Sequence, residues 1–418
     1  MSLFAAAANT RATQLPSTNI LNPLQWFTNW AGGGQTSSGI SVNEDNMVSL
    51  SAVFNAITLL SETVAQQPLS PYLEYEQEGL TKRRKYKEHP TYRLVAYEAF
   101  PGFMTAFTWR KLMMNHVCRW QNAYSFIERN GNYKPVSIIP IHPTRVVSKI
   151  RGGSLYYEIA DIDMTIPAQN MIHLVGFNDD GINGKSLASL AKEGIGHALA
   201  VEKFGSDYFG KGINVSGFIE SPDYLGKDQD KVERLKASFV QKYGGQNGQF
   251  GVGVLEGGAQ WKPNETNPEQ AQLKDTRKFN VEEVARWLNV PVPLLKQIDK
   301  LTYNNAEQVD IQFTKYTISP WNVNIEQELW RKLLSETEKS RGDIYFKHNM
   351  NGLLRGDTQS RAKLYDTLSK AGAASPNFIL EKEDENPYVG GDVHVVNPGA
   401  ITIEQLQNQN NGNTIPNG

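Results

Sequence analysis

Between Ser49 and Leu69, Val53, Ala56, Ile57, Leu60 and Val64 recur at helical spacing, and Pro68 ends the run. PLSPYLEYE, from Pro68, then reads as a strand, and the charged KRRKYKEHP as a solvated loop, with a nucleic-acid patch as the alternative. Residues 104–120 are predicted helical, with Phe107, Leu112, Met113 and Val117 facing inward. From 122 to 175 the pattern changes to strands separated by Asn-Gly, Gly-Gly and Pro turns, which makes an α+β unit. An Ala- and Gly-rich helix follows over 186–210. A small α+β insertion at 213–270 comes next, with strands SGFIE and AQWKP, a further strand FGVGVLEGG and a helix ended by Gly244.

Residues 277–333 hold the most informative pattern. An amphipathic helix carries Val281, Val284, Ala285 and Leu288 on one face, with Asn280 and Glu283 as its N-cap and return. Pro291 and Pro293 stop it, a polar loop follows, and a longer helix comes next. Val309, Phe313 and Tyr316 line one face of that helix before Pro320, and Ile325, Leu329 and Leu333 continue it afterwards. Proline lacks the amide proton and crowds the preceding turn, so Pro320 predicts a kink, with a break between two ordinary core helices as the alternative. A last unit at 355–397 contains the helix TQSRAKLYDTLSKAG.

The chain ends are different. Residues 1–40 are weakly hydrophobic apart from the aromatic island NPLQWFTNW, and residues 1–45 are expected to form a flexible arm. The Gln/Asn/Gly-rich tail 401–418 is expected to be disordered.

The 418 residues suffice for roughly two to four compact units at about 100–200 residues each. A net charge of −2 lacks the basic surplus of a protein that grips phosphates. Cys118 is the only cysteine, which excludes an intrachain disulfide and a thiolate metal cage. The start lacks a secretory pattern and no apolar run reaches membrane-spanning length, so no membrane association is expected.

Candidate chemistry is sparse. Gly184-Lys185-Ser186 reproduces the end of a phosphate loop and follows a strand. Asp179 stands where the first glycine belongs and Asp180 lies beside it, and two carboxylates repel phosphates. The segment 280–297 resembles the first part of a helix-turn-helix, but its prolines prevent the tight turn a DNA reader needs. The seven histidines show no ligand spacing, and Glu282/Glu283 and Asp179/Asp180 read as solvated acids. No catalytic residue, metal or cofactor is expected.

Ordered motifs then carry a resemblance. They are AVFNAITLLSETVAQQPL, HPTYRLV, MTAFTWRKLMMNHVCRWQNAYSFIERN, NMIHLVGFNDDGINGKSLASLA, VLEGGAQWKP, the 284–334 stretch, LLRGDTQSRAKLYDTLSKAG and GGDVHVVNP. In this order they resemble tailed-bacteriophage portal proteins of the HK97-like type over about Ser49 to Asn397. One departure is that the family's NExR-like motif reads Asn377-Phe378-Ile379-Leu380 here.

The resemblance implies a homo-oligomeric ring, normally of twelve subunits, at one capsid vertex, beside the major capsid protein. The ring is assembled in the host cytoplasm, and double-stranded DNA passes non-specifically along its axis. It implies a wing over 46–185, stem helices at 186–212 and 273–296, and a clip at 213–272. A tunnel loop at 297–305, a kinked wing helix with its following strand at 306–354 and a crown at 355–400 complete the subunit. The tunnel-loop residues would be Ile298, Asp299, Lys300, Leu301, Thr302, Tyr303 and Asn304. The clip would offer Tyr243, Gln246, Asn247 and Gln249 to the terminase large subunit, later replaced by head–tail connector (adaptor) proteins. Sliding DNA suits weak contacts, because strong phosphate binding would act as a brake.

Overall fold

A computed structural model describes residues 36–77, 79–160, 162, 164–210, 217–220, 260–263, 273–295, 303–350, 358–383 and 385–394. The chain divides into two compact units, one of Met1–Leu301 with Lys315–His348 and the other of Thr302–Thr314 with Asn349–Gly418.

In the first unit, α1 (Ser51–Ala65) buries Val53, Ala56, Ile57, Leu60 and Val64, the face the spacing predicts. The chain continues as β1 (Leu69–Gln77), β2 (Leu80–Lys85) and the short α2 (Thr91–Ala96). KRRK therefore lies in an edge strand, not a loop. Arg83 and Glu74 sit opposite each other in the β1–β2 ladder, and pairing to β1 gives the charged residues a strand conformation. Helix α3 (Ala106–Trp120) starts at the Thr105 cap, whose hydroxyl accepts from Thr108 N. Phe107 was expected inside but is exposed, and Leu112 is only half-buried; Trp109 and Arg110 take the inward positions instead.

Arg110 explains how α1 can end against α3. Its Nε and Nη2 donate to Ala65 O at 3.2 and 2.8 Å, and Nη1 donates to Val95 O at 2.7 Å. The guanidinium thus satisfies buried carbonyls that two helix ends leave open. Burial pushes its pKa down to about 10. Trp109 donates from Nε1 to Ser125 Oγ at 2.9 Å, so the polar edge of a fully buried indole has a partner.

Strands β3 (Asn122–Arg129), β4 (Pro135–Ile141), β5 (Val146–Arg151), β6 (Ser154–Ile159), β7 (Met164–Pro167) and β8 (Met171–Val175) follow. They form two antiparallel sheets, β4-β3-β8 and β5-β6-β7. Tyr124, Ile141, Val146, Tyr157, Ile159, Ile166 and Met171 join them in one apolar cluster.

The Ala/Gly-rich segment is two helices, α4 (Leu187–Leu190) and α5 (Lys192–Gly210), interrupted at Ala191. Strands β9 (Gly217–Glu220) and β10 (Gln260–Pro263) pair antiparallel, with Gly217 opposite Pro263. The strand and helix expected between them, FGVGVLEGG and the one ended by Gly244, lie outside the described residues. Helix α6 (Leu273–Trp287) places Asn280 in its interior, so Asn280 is not an N-cap. The amides after Asn280 lie beyond the first turn, so carbonyls of the preceding turn already accept them and no cap is needed there.

Helix α7 (Tyr303–Gln312) runs through a π-helical turn, Phe313–Ile318, into α8 (Ser319–Leu333). The wider turn changes the phase of the helix. Phe313 is buried, whereas Tyr316, expected on the same face, is 60% exposed. A short α9 (Glu336–Arg341), opened by a Ser335/Glu338 capping box, leads to β11 (Ile344–His348). β11 pairs with β1, Leu69 opposite His348, to give the sheet β11-β1-β2.

Residues 36–45 belong to the stretch expected as an arm, yet Thr36 and Val42 are buried. Ser37 N donates to Glu193 Oε2 at 3.1 Å, which ties this segment to α5.

The second unit contains α7, α10 (Thr358–Lys370) and α11 (Pro376–Lys382). Asn377, in the departing motif, donates to Tyr388 O at 2.9 Å and accepts from Tyr388 N at 3.0 Å. The tail 401–418 lies outside the described residues.

Candidate functional site

Helices α5 and α6 pack antiparallel: a Cβ on Gly194 would lie 2.5 Å from the Trp287 indole, and one on Gly205 would lie 3.9 Å from Arg277. The missing side chain at Gly194 lets the helices approach. The β9–β10 pair brings together the two ends of the insertion between these helices.

At the C-terminal end of α6 the chain turns through Asn289 at φ 52°, the left-handed conformation that Asn tolerates better than most residues. Asn289 Nδ2 donates to Tyr316 O at 3.0 Å, and Thr317 Oγ1 donates to Asn289 O at 2.5 Å. Pro320 is exposed at the second position of α8, directly after the π-turn. Sequence reasoning overlooked Asn289. Its place just after the last apolar helix position is a C-cap signal, but its partner lies 27 residues on.

Among the expected loop residues, Ile298, Asp299, Lys300, Leu301 and Thr302 lie outside the described residues. Tyr303 and Asn304 open α7, so helical backbone begins before the expected end of the loop at 305. Tyr243, Gln246, Asn247 and Gln249 lie outside the described residues as well.

The Gly184-Lys185-Ser186 turn fills its own anion space. Gly184 N donates to Asn122 Oδ1 at 2.9 Å, and Lys185 N donates to Phe177 O at 2.9 Å. The Lys185 ammonium is paired with Asp179. Asp180 accepts the Asn183 and Ile182 amides, and these bonds pull its pKa down to about 2. Ser186 caps the four-residue α4. A phosphate would find these amides occupied and two carboxylates beside it.

A buried polar group lies between the sheets and α8. His173 Nε2 meets Asn122 Oδ1 at 3.1 Å, and Tyr157 OH meets Nδ1 at 3.1 Å. An amide oxygen only accepts, so Nε2 carries the proton and the tyrosine donates. Burial pushes His173 down to about 3, so the ring is neutral. Glu328 Oε1 accepts His173 N at 3.0 Å, and Arg331 lies 2.7 Å from Oε2. Burial raises the Glu328 pKa and lowers that of Lys332 to about 8. Desolvation thus outweighs their attraction across 3.9 Å. Each of these groups is committed to a structural bond.

Among the described residues, no three His, Cys, Asp or Glu gather as metal ligands, and no helix is long and apolar enough to cross a membrane. Burial pushes the Cys118 thiol up to about 12.

The family model described as "Phage portal protein" matches residues 51–384. The portal protein of Enterobacteria phage HK97 is 27% identical over 385 residues, covering 89% of this chain and 88% of its own. A probable portal protein of Streptomyces phage phiC31 is 27% identical, covering 86% and 79%. In fold, the chain is similar to an HK97 family phage portal protein from Corynebacterium diphtheriae, with TM-score 0.56 and 19% identity over 75% of this chain and 98% of the other. A chain in the neck of a native GTA particle, computed with C12 symmetry, gives TM-score 0.52 and 16% identity over 92% and 99%.

Proposed function

Since this chain belongs to the phage portal protein family, we propose that it works as a non-enzymatic DNA conduit, a twelve-membered ring at one capsid vertex. The observation that carries the reading is the antiparallel α5–α6 pair, held close at Gly194 and flanking an insertion whose ends are joined by β9 and β10. α5 and α6 are the stem helices, 213–272 is the clip, 46–185 is wing, and 355–400 is crown. The segment 297–305, whose last residues form the first turn of α7, meets DNA in the channel, and Pro320 bends the helix that follows it. Terminase docks on the clip through Tyr243, Gln246, Asn247 and Gln249, and a head–tail connector later takes its place. Energy for packaging comes from a separate ATPase, because the Gly184-Lys185-Ser186 turn is closed by its own hydrogen bonds.

Two measurements test this reading. Electron microscopy of the purified chain should find rings with an axial hole. Lys300→Glu, or deletion of 299–303, should impair packaging or DNA retention while rings still form. Full-length packaging by both variants would remove the loop assignment, and a purified protein that forms no ring would remove the conduit.

A further inference from the structure

Pro320 has no amide proton, so the carbonyl four residues before it, that of Tyr316, loses its α-helical donor. The Asn289 side-chain amide supplies one at 3.0 Å from the end of a different helix. The connection is reciprocal, because the Thr317 hydroxyl donates to the Asn289 carbonyl at 2.5 Å. Asn289 can offer its side chain and its carbonyl at once because it sits at φ 52°. Its own amide and that of Val290 close the end of α6 on Arg286 O and Ala285 O. Thr317 is buried at 4% exposure, so its hydroxyl needs this acceptor.

We propose that Asn289 is a positioning residue that takes the place of the donor Pro320 lacks, fixing the end of α6 to the π-turn. The two bonds join residues 27 and 28 positions apart and close the intervening chain into a loop with a pinned base. Closing a loop of this length has an entropic cost that bonds at its base offset. The clamp also favours the π-turn over a regular α-helix, because a regular helix would carry Tyr316 O out of this register. Its consequence for DNA rests on reading 297–305 as a channel loop; the clamp itself does not.

The test compares hydrogen exchange of the amides from Lys315 to Trp321 in assembled rings, without DNA. Asn289→Gly keeps the left-handed backbone and removes the amide donor, and it should speed exchange there by roughly threefold to tenfold, the range one hydrogen bond gives. Pro320→Ala restores a backbone N–H opposite Tyr316 O, so in that background Asn289→Gly should change exchange by less than about twofold. An equal effect in both backgrounds overturns the proposal, as does no effect in the first. If Asn289→Gly rings fail to assemble, Asn289→Asp keeps shape and left-handed preference but turns an acceptor toward Tyr316 O. Unchanged exchange in that variant overturns the clamp. Lys300→Glu particles that package normally would remove the loop reading and leave the exchange result standing.

Discussion

Gly184 lies so close to Gln121 that a methyl group on its Cα would overlap the Gln121 carbonyl. The obstacle is backbone, which cannot rotate away as a side chain would. The glycine that looks like part of a phosphate loop is therefore required for packing a turn against the end of α3. Gly184→Ala should destabilise the subunit by about 1–3 kcal/mol. Lys185→Ala, losing an exposed ion pair with Asp179, should cost less than about 1 kcal/mol. Thermal denaturation of the two variants ranks them, and ATP turnover that depended on Lys185 would contradict the non-enzymatic reading.

Arg110 is the internal cap of two helices. Arg110→Met keeps the apolar stem but leaves the Ala65 and Val95 carbonyls without these donors. The expected loss is about 3 kcal/mol. A lower denaturant midpoint with an unchanged slope is the signature to look for.

Acid should weaken the fold through two neutral histidines. Burial holds His116 and His173 down to about 3 each, below the ordinary histidine value of about 6.5. The unfolded chain binds protons at higher pH than the folded one, so their contribution is full above about pH 6.5. It is lost at about 1.4 kcal/mol per pH unit for each group as pH falls toward 3. Among the described residues His116 Nδ1 has no hydrogen-bond partner, so His116→Phe should be tolerated at pH 7 and should remove about 1.4 kcal/mol per pH unit from the acid slope. Stability measured at several pH values with and without the substitution checks both points.

The Glu328–Lys332 pair should behave as one unit. Glu328→Gln retains an oxygen for His173 N but removes the countercharge of Lys332, costing about 3 kcal/mol. Adding Lys332→Met should recover most of that loss. A double-mutant cycle with additive effects would show the pair to be uncoupled.

Local order was readable in the residues. The face of α1 at Val53, Ala56, Ile57, Leu60 and Val64 follows from spacing of three to four, and the strands at 217–220 and 260–263 fall within the SGFIE and AQWKP segments read as strands. Phe107 and Tyr316 show where periodicity misled. In α3 the inward face is shared with Arg110, a charged residue that burial admits because carbonyls surround it. Along the long helix the π-turn shifts the phase after Phe313, and apolar spacing carries no mark of that extra residue.

The sequence by itself determined the α+β class, the helix α1 and the strands β9 and β10, the absence of a complete phosphate loop and the family resemblance. Each of these depends on residue type and short spacing. Only the tertiary structure decided that β11 pairs with β1 across more than half the chain, that Arg110 caps α1, and that Asn289 answers for Pro320. Those bonds join groups far apart in sequence, where no periodicity connects donor to acceptor. They form because a buried carbonyl needs a donor and the packed chain brings one within about 3 Å.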